Sequence, residues 1–249
     1  MTAGQVLLLF LAGIGAGLSG SIAGLASLFS YPALLAVGLP ATSANVTNTV
    51  ALLFNSVGSV TGSRPELTGL GPMVRRFAVL SVVGGAAGAG LLLVTPDGGF
   101  EKIVPFLVGG ASVVLLASPW IRTAAAEGPR RDGPWVLAAM TAVAVYGGYF
   151  GAAAGVLLLA LLSISQPLTL LQSNAVKNVL LGLANGVAAI GFALFGDVVW
   201  TAVLPLAAGL LIGGWTGPAI ARRVPTTLLR AGIAIAGLGL AVKLFADAW

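Results

Sequence analysis

The sequence predicts an all-α polytopic membrane protein made of two inverted repeats. Each repeat is expected to hold a broken, re-entrant helical hairpin and three transmembrane helices. Three observations predict this. Only 8% of the 249 residues are charged, while 58% are hydrophobic and mean hydropathy is +1.04; soluble domains carry about 25% charge. Apolar runs follow one another with only short polar connections between them. The second half then repeats the order of features in the first. With 12 basic and 7 acidic residues, a globule of this size has too little charge for a soluble surface. High hydrophobicity excludes disorder. The absence of Cys and His excludes disulfide scaffolds and Cys/His metal sites. At about 20 apolar residues per spanning helix, the chain has room for roughly eight to ten crossings.

The first apolar run, from Gly4 to about Leu18, is expected to break at Ser19-Gly20-Ser21. It has no basic segment before it and no polar domain behind it, so it reads as a retained segment rather than a cleaved signal peptide. A shorter run, Ile22 to Val37, contains Tyr31-Pro32 and ends at Gly38-Leu39-Pro40. A helix follows over 42–62. Arg64, Glu66, Arg75 and Arg76 mark a polar loop. Phe77 to Val94 is the next span, closed by Thr95-Pro96-Asp97. Lys102 to Ile121 follows, and then the longest polar loop, Arg122 to Gly133.

Beyond that loop, Trp135 to Phe150 is expected to break at Gly147, Gly148, Gly151 and Gly155. The short run Val156 to Ile164 ends at Ser165-Gln166-Pro167. A helix over 170–195, a turn at Asp197, a span over 198–221, the pair Arg222-Arg223 and a last span over 226–246 complete the chain. The units are therefore a first membrane repeat over 1–122, a cytoplasmic linker over 123–133, and a second, inverted repeat over 134–249.

The repeat is legible residue by residue. Asn48 and Asn55 lie seven apart, as do Asn178 and Asn185, at an offset of 130; Ser43 matches Ser173 at the same offset. One residue of slippage aligns Gly17, Gly20 and Gly24 with Gly148, Gly151 and Gly155. Seven residues is close to two helical turns, so each Asn pair shares one helix face. Basic residues concentrate over 64–76, 122–131 and 222–230. The positive-inside rule puts these loops in the cytoplasm. Helix 42–62 then runs inward, helix 170–195 runs outward, and both termini lie outside. The arms before each of these helices are short for full crossings, which fits re-entrant hairpins.

Broken helices at corresponding positions of two inverted halves point to a transporter's midplane site. A helix that starts inside the membrane presents unpartnered N–H groups and partial positive charge, which suit an anion. Glycines four apart also serve plain close packing. Amides within hydrocarbon must find partners, either as substrate ligands or as bonds between helices. Lys177 lies about two turns into its helix, with no acidic residue in any span. It either snorkels to the cytoplasmic face or balances an anionic substrate. Arg230 and Lys243 lie near helix ends and read as snorkelling. The expected substrate site is Ser19, Gly20, Ser21, Thr47 and Asn48 facing Gly147, Gly148, Lys177 and Asn178. Asn45, Asn55, Asn174 and Asn185 are secondary candidates.

The missing His, Cys and in-span carboxylates remove nucleophile–base pairs and carboxylate proton relays, so no enzyme is expected. No cofactor or metal is expected, and no nucleic acid, because no aromatic-interleaved basic patch occurs. The expected partners are a small anion and the lipid bilayer. A negative cell interior favours anion exit by about 2.3 kcal/mol per charge per 100 mV.

Two stretches carry a family resemblance. One is Gly13 to Asn55, where a glycine-rich break and Pro32 precede Gly38-Leu39-Pro40 and a Ser/Thr/Asn helix. The other is Ser173-Asn174-Ala175-Val176-Lys177-Asn178 running on to Asn185-Gly186-Val187. Together they resemble the sulfite exporter TauE/SafE family. The resemblance implies a two-repeat membrane transporter of small sulfur-containing anions such as sulfite or organosulfonates; with the residues above, the expectation is an inner-membrane exporter working by alternating access. The rival readings are a Na⁺-type carrier or channel, built on Asn, Ser and Thr oxygens, and a non-transporting membrane scaffold subunit.

Overall fold

A computed structural model describes residues 1–96, 98–127, 133–222 and 238–246. Among the described residues every regular element is a helix. The opening pair is α1 (Ala3–Ala23) and α2 (Ala26–Ala36). Thr2 starts α1 with a reciprocal capping box to Gln5, which satisfies the first exposed N–H groups. Gln5 Nε2 also donates to Val37 O at 3.2 Å. The two open ends of this hairpin therefore lie side by side, although α1, at 21 residues, is longer than the short arm expected of a re-entrant hairpin.

The break falls later than expected. Helix α1 runs through Ser19-Gly20-Ser21 and stops at Gly24, which is left-handed at φ 77°. The serine hydroxyls stay helical by donating back to Ala16 O and Leu18 O, a local bond that leaves the helix intact. Gly24 N–H closes the end on Gly20 O at 2.8 Å and Leu25 N–H on Ser19 O at 3.3 Å, a left-handed glycine cap.

Helix α3 (Ala41–Gly62) is followed by the single turn α4 (Arg64–Leu67) and by α5 (Gly71–Leu93). The polar loop expected over 64–76 is thus shorter, because Pro72 starts α5 where its missing N–H costs nothing. Helix α6 covers Gly99–Glu127 and extends past the expected Ile121. Asp97, most of the loop to Gly133, Arg223 and Arg230 lie outside the described residues, as does the start of the last expected span; residues 238–246 are helical.

The second hairpin is α7 (Pro134–Tyr149) and α8 (Ala154–Ser165). Helix α7 passes through Gly147-Gly148, and the break comes over 150–153, where Gly151 and Ala153 take positive φ values of 75° and 59°. Then come α9 (Leu170–Phe195), capped by Thr169 and Gln172, and α10 (Trp200–Ala221). Helices α1, α5, α9 and α10 are long and apolar enough to cross a membrane. Helix α3 is as long, but its Ser, Thr and Asn residues lower its hydropathy. The chain is a multi-pass membrane protein.

Glycines set the packing. Gly13 and Gly17 of α1 lie against Gly209 and Gly213 of α10, and Gly58 and Gly62 of α3 lie against Leu211 and Trp215. These contacts advance in step, so α1, α3 and α10 run parallel. Gly84 and Gly88 of α5 meet Thr141 to Tyr149 of α7 in the same way. Helix α3 meets α9 in the opposite sense: Ser56 faces Gly182 and Leu53 faces Gly186. An Arg222–Glu66 ion pair with two hydrogen bonds, at 2.8 and 2.9 Å, ties the end of α10 to α4. The first and third basic stretches therefore share one end of the molecule.

Candidate functional site

The two hairpin tips touch at the centre of the molecule. A methyl built on Gly24 would lie 2.5 Å from the Gly155 backbone, and one built on Gly155 would strike Gly24. Beside this contact lies a cavity lined by Gly20, Ser27, Asn55, Ser56 and Ser59 from the first half and by Gly147, Gly151, Gly155, Asn178 and Asn185 from the second. It offers about 40 Å³ to the centres of water-sized spheres, where one ordered water needs about 10–15 Å³. It has room for a few waters or one small oxyanion. Among the described residues, no carboxylate lines it.

Helices α2 and α8 both begin at this cavity, through Ala26, Ser27, Ala154 and Gly155. Neither start has a side-chain cap. Both starts bring partial positive charge to one small polar space, although Ala154 N–H already donates to Gly151 O, Val156 N–H to Ala153 O and Leu28 N–H to Leu25 O.

The carbonyl ends of the broken helices are tied off crosswise. Asn174 and Asn178 of α9 donate to Ser21 O of α1 at 2.7 and 3.4 Å. Lys177 donates to Gly20 O at 3.0 Å and is fully buried. In the other half, Asn45 of α3 donates to Tyr149 O of α7 at 2.9 Å. Each half thus uses its amide-bearing helix to satisfy the broken helix of the other. A cation at a helix C-terminus also opposes the dipole favourably. Lys177 does not snorkel: it stands at the carbonyl end of α1, next to the cavity-lining Asn178.

Of the residues expected from sequence, Gly20, Gly147 and Asn178 line the cavity, together with the secondary candidates Asn55 and Asn185. Asn48 stands one layer behind, accepting from Ser30 at 2.5 Å and donating to Ser27 at 3.2 Å. Thr47 turns away and accepts Val199 N–H at 3.0 Å. Gly148 packs against Gly85 of α5. Ser19 and Ser21 keep their hydroxyls on their own helix, and Ser21 Oγ abuts Gly217. Sequence reasoning placed Ser56 on the polar face of its helix but passed over Ser27, Ser30 and Ser59. Their signal was available: Ser27 and Ser30 are one turn apart just after the break, and Ser59 is one turn from Asn55.

The sulfite exporter TauE/SafE family model matches residues 9–244. The chain belongs to the TauE/SafE family. Relatives of this TauE/SafE protein are named probable membrane transporters. One is ORF9 of a Sinorhizobium species, 28% identical over 96% of this chain and 92% of its own length. Another is YfcA of Escherichia coli strain K12, 26% identical over 96% of this chain and 89% of its own length. No solved structure matches. This TauE/SafE chain is accordingly a membrane transporter.

Proposed function

We propose that the protein exports a small sulfur-containing oxyanion, of the sulfite or organosulfonate class, across the inner membrane by alternating access. The observation that carries this reading is the meeting of two helix starts without side-chain caps at one small cavity that no carboxylate among the described residues lines. Partial positive charge from both helices stabilises an anion there. Asn55, Asn178, Asn185 and Ser27 supply neutral donors, while the Ser56 and Ser59 hydroxyls donate to Leu52 O and Ser56 O. Lys177 places an amine nearby that donates to Gly20 O and, when protonated, disfavours a cation in the cavity. Ser19, Ser21, Thr47, Asn48, Gly148, Asn45 and Asn174 act around the site, holding the broken helices in shape.

The inverted repeat, with halves 1–122 and 134–249 around a linker over 123–133, draws support from the packing. Exchanging α1, α2, α3 and α5 with α7, α8, α9 and α10 maps the α1–α10 contact onto α7–α5 and the α3–α10 contact onto α9–α5. The counterparts α3 and α9 run antiparallel, as inversion demands. The shared end of the basic stretches at Glu66 and Arg222 fits a cytoplasmic face, with both termini outside. The test is sulfite flux in liposomes with Lys177→Gln and Asn178→Leu. A fall of tenfold or more in flux or apparent affinity is expected for each. Unchanged flux in both variants would remove this cavity from the transport path.

A further inference from the structure

The sequence falls into two halves, but the contacts divide the molecule differently. Helix α10 packs on α1 and α3, and α5 packs on α7 and α9. Each of these two helices has thus joined the other half. One body is continuous, Gly71–Phe195, holding α5 to α9. The other is split, holding α1 to α4 and then α10, Trp200–Ala221. Inside each body the helices are locked by glycine-to-backbone contacts, at Gly13, Gly17, Gly58 and Gly62 in one and at Gly84, Gly85 and Gly88 in the other. Such close packing moves as a unit.

Between the bodies the joint is narrower. Its main contact is α3 on α9, with α4 on α9 and the touching tips Gly24 and Gly155 beside it. The ties from Lys177, Asn174, Asn178 and Asn45 also cross the joint, all at the tips. The cavity lies on it, with lining residues from both bodies.

Only two short connections join the bodies between α4 and α10. One is Thr68 to Leu70, where Gly69 is exposed at φ 81° with open space around its Cα. The other is Gly196 to Val199, the irregular stretch after α9. Short loop positions that absorb backbone change are where hinges form.

We infer that transport rocks the continuous body 71–195 against the split body 3–67 plus 200–221, about the Gly24–Gly155 tip contact. The hinges are at Gly69 and Gly196, so the moving parts are not the two sequence repeats. This rests on the transport reading above for its purpose, though not for its geometry. Opening on either side of the tips would expose the cavity to one face at a time. The helical segment 238–246 lies on α6, through Phe245 on Phe106 and Ala241 on Gly109, and travels with the continuous body.

The chain contains no cysteine, so spin labels can be placed at chosen exposed sites only. Three double-cysteine variants in liposomes separate the models by pulsed electron-electron distance measurement. Leu7→Cys with Leu204→Cys joins the two sequence halves within the split body. Val83→Cys with Ile190→Cys joins the two halves within the continuous body. Val57→Cys with Val83→Cys stays within one sequence half but bridges the two bodies. All five positions are exposed. The first two pairs should give narrow distributions that sodium sulfite leaves unchanged. The third should be broad or double, and sulfite should redistribute it. A broad Leu7–Leu204 pair with a narrow Val57–Val83 pair would overturn the assignment. So would three equally narrow pairs, with or without flux. If the widths follow the expected pattern but sulfite changes none of them, the two-body motion stands and the sulfite reading falls.

Discussion

Replacing Gly24 by Ala tests whether the hairpin tips really bear on each other. Two separate penalties arise. The residue sits at φ 77°, where an L side chain costs about 1–2 kcal/mol. Its new methyl would also lie 2.5 Å from the Gly155 backbone, and overpacking of that kind costs about 1–3 kcal/mol. The lower conformational freedom of Ala in the unfolded chain returns about 0.4–1 kcal/mol. The net loss is about 1–4.5 kcal/mol, which for a chain of this size lowers the melting midpoint by roughly 2–18 °C. Two controls separate the terms. Gly38→Ala has a similar φ, 93°, with nothing within 4 Å, so it carries the backbone penalty alone. Gly155→Ala has no positive φ and carries the contact alone. The assay is thermal unfolding in detergent at one fixed scan rate, with sulfite flux in liposomes alongside. Gly24→Ala should be the worst of the three and should lose flux. If it melts like Gly38→Ala while Gly155→Ala melts like the parent, the tips do not touch and the pivot is wrong.

Three further outcomes are expected. Gly88→Ala should destabilise by about 1–3 kcal/mol, because its methyl would strike Val145 O. Gly90→Ala, two residues on in open space, should be neutral or raise stability by up to about 1 kcal/mol; paired melting curves check this. Asn174→Leu should cost about 1–3 kcal/mol, since Ser21 O loses its 2.7 Å partner at the buried end of α1, and urea titration would measure it. A double-mutant cycle on Glu66 and Arg222 should give a coupling of no more than about 1 kcal/mol, because Arg222 is about one-third exposed.

Much of the architecture was legible in local pattern. The 3.6-residue period and the spacing of Asn48 with Asn55 and of Asn178 with Asn185 put the amides on buried faces of α3 and α9. The break in each hairpin was legible to within a few residues. It was misplaced because Gly20 and Gly147 look as disruptive as Gly24 and Gly151, although only the latter two take left-handed φ. Helix ends depend on which residue can adopt that conformation and still close a cap, as Gly24 does on Gly20 O.

Lys177 shows the limit most clearly. Its position marked it as the one unexplained charge in a span, and that much was visible in the order of residues. Its partner, Gly20 O, lies 157 residues away and is a backbone atom, which no side-chain pattern advertises. The same holds for Thr47, whose periodicity assigned it to the polar face but whose hydroxyl serves the start of α10.

Residence in the membrane, the succession of helices and the paired breaks were determined by the sequence alone. They follow from run length, charge spacing and glycine placement, all short-range properties of the chain. The tertiary structure decided which amides reach the cavity, what holds Lys177, and that α5 and α10 change sides. Those outcomes turn on backbone groups meeting across long stretches of chain, where close glycine contact selects the neighbour.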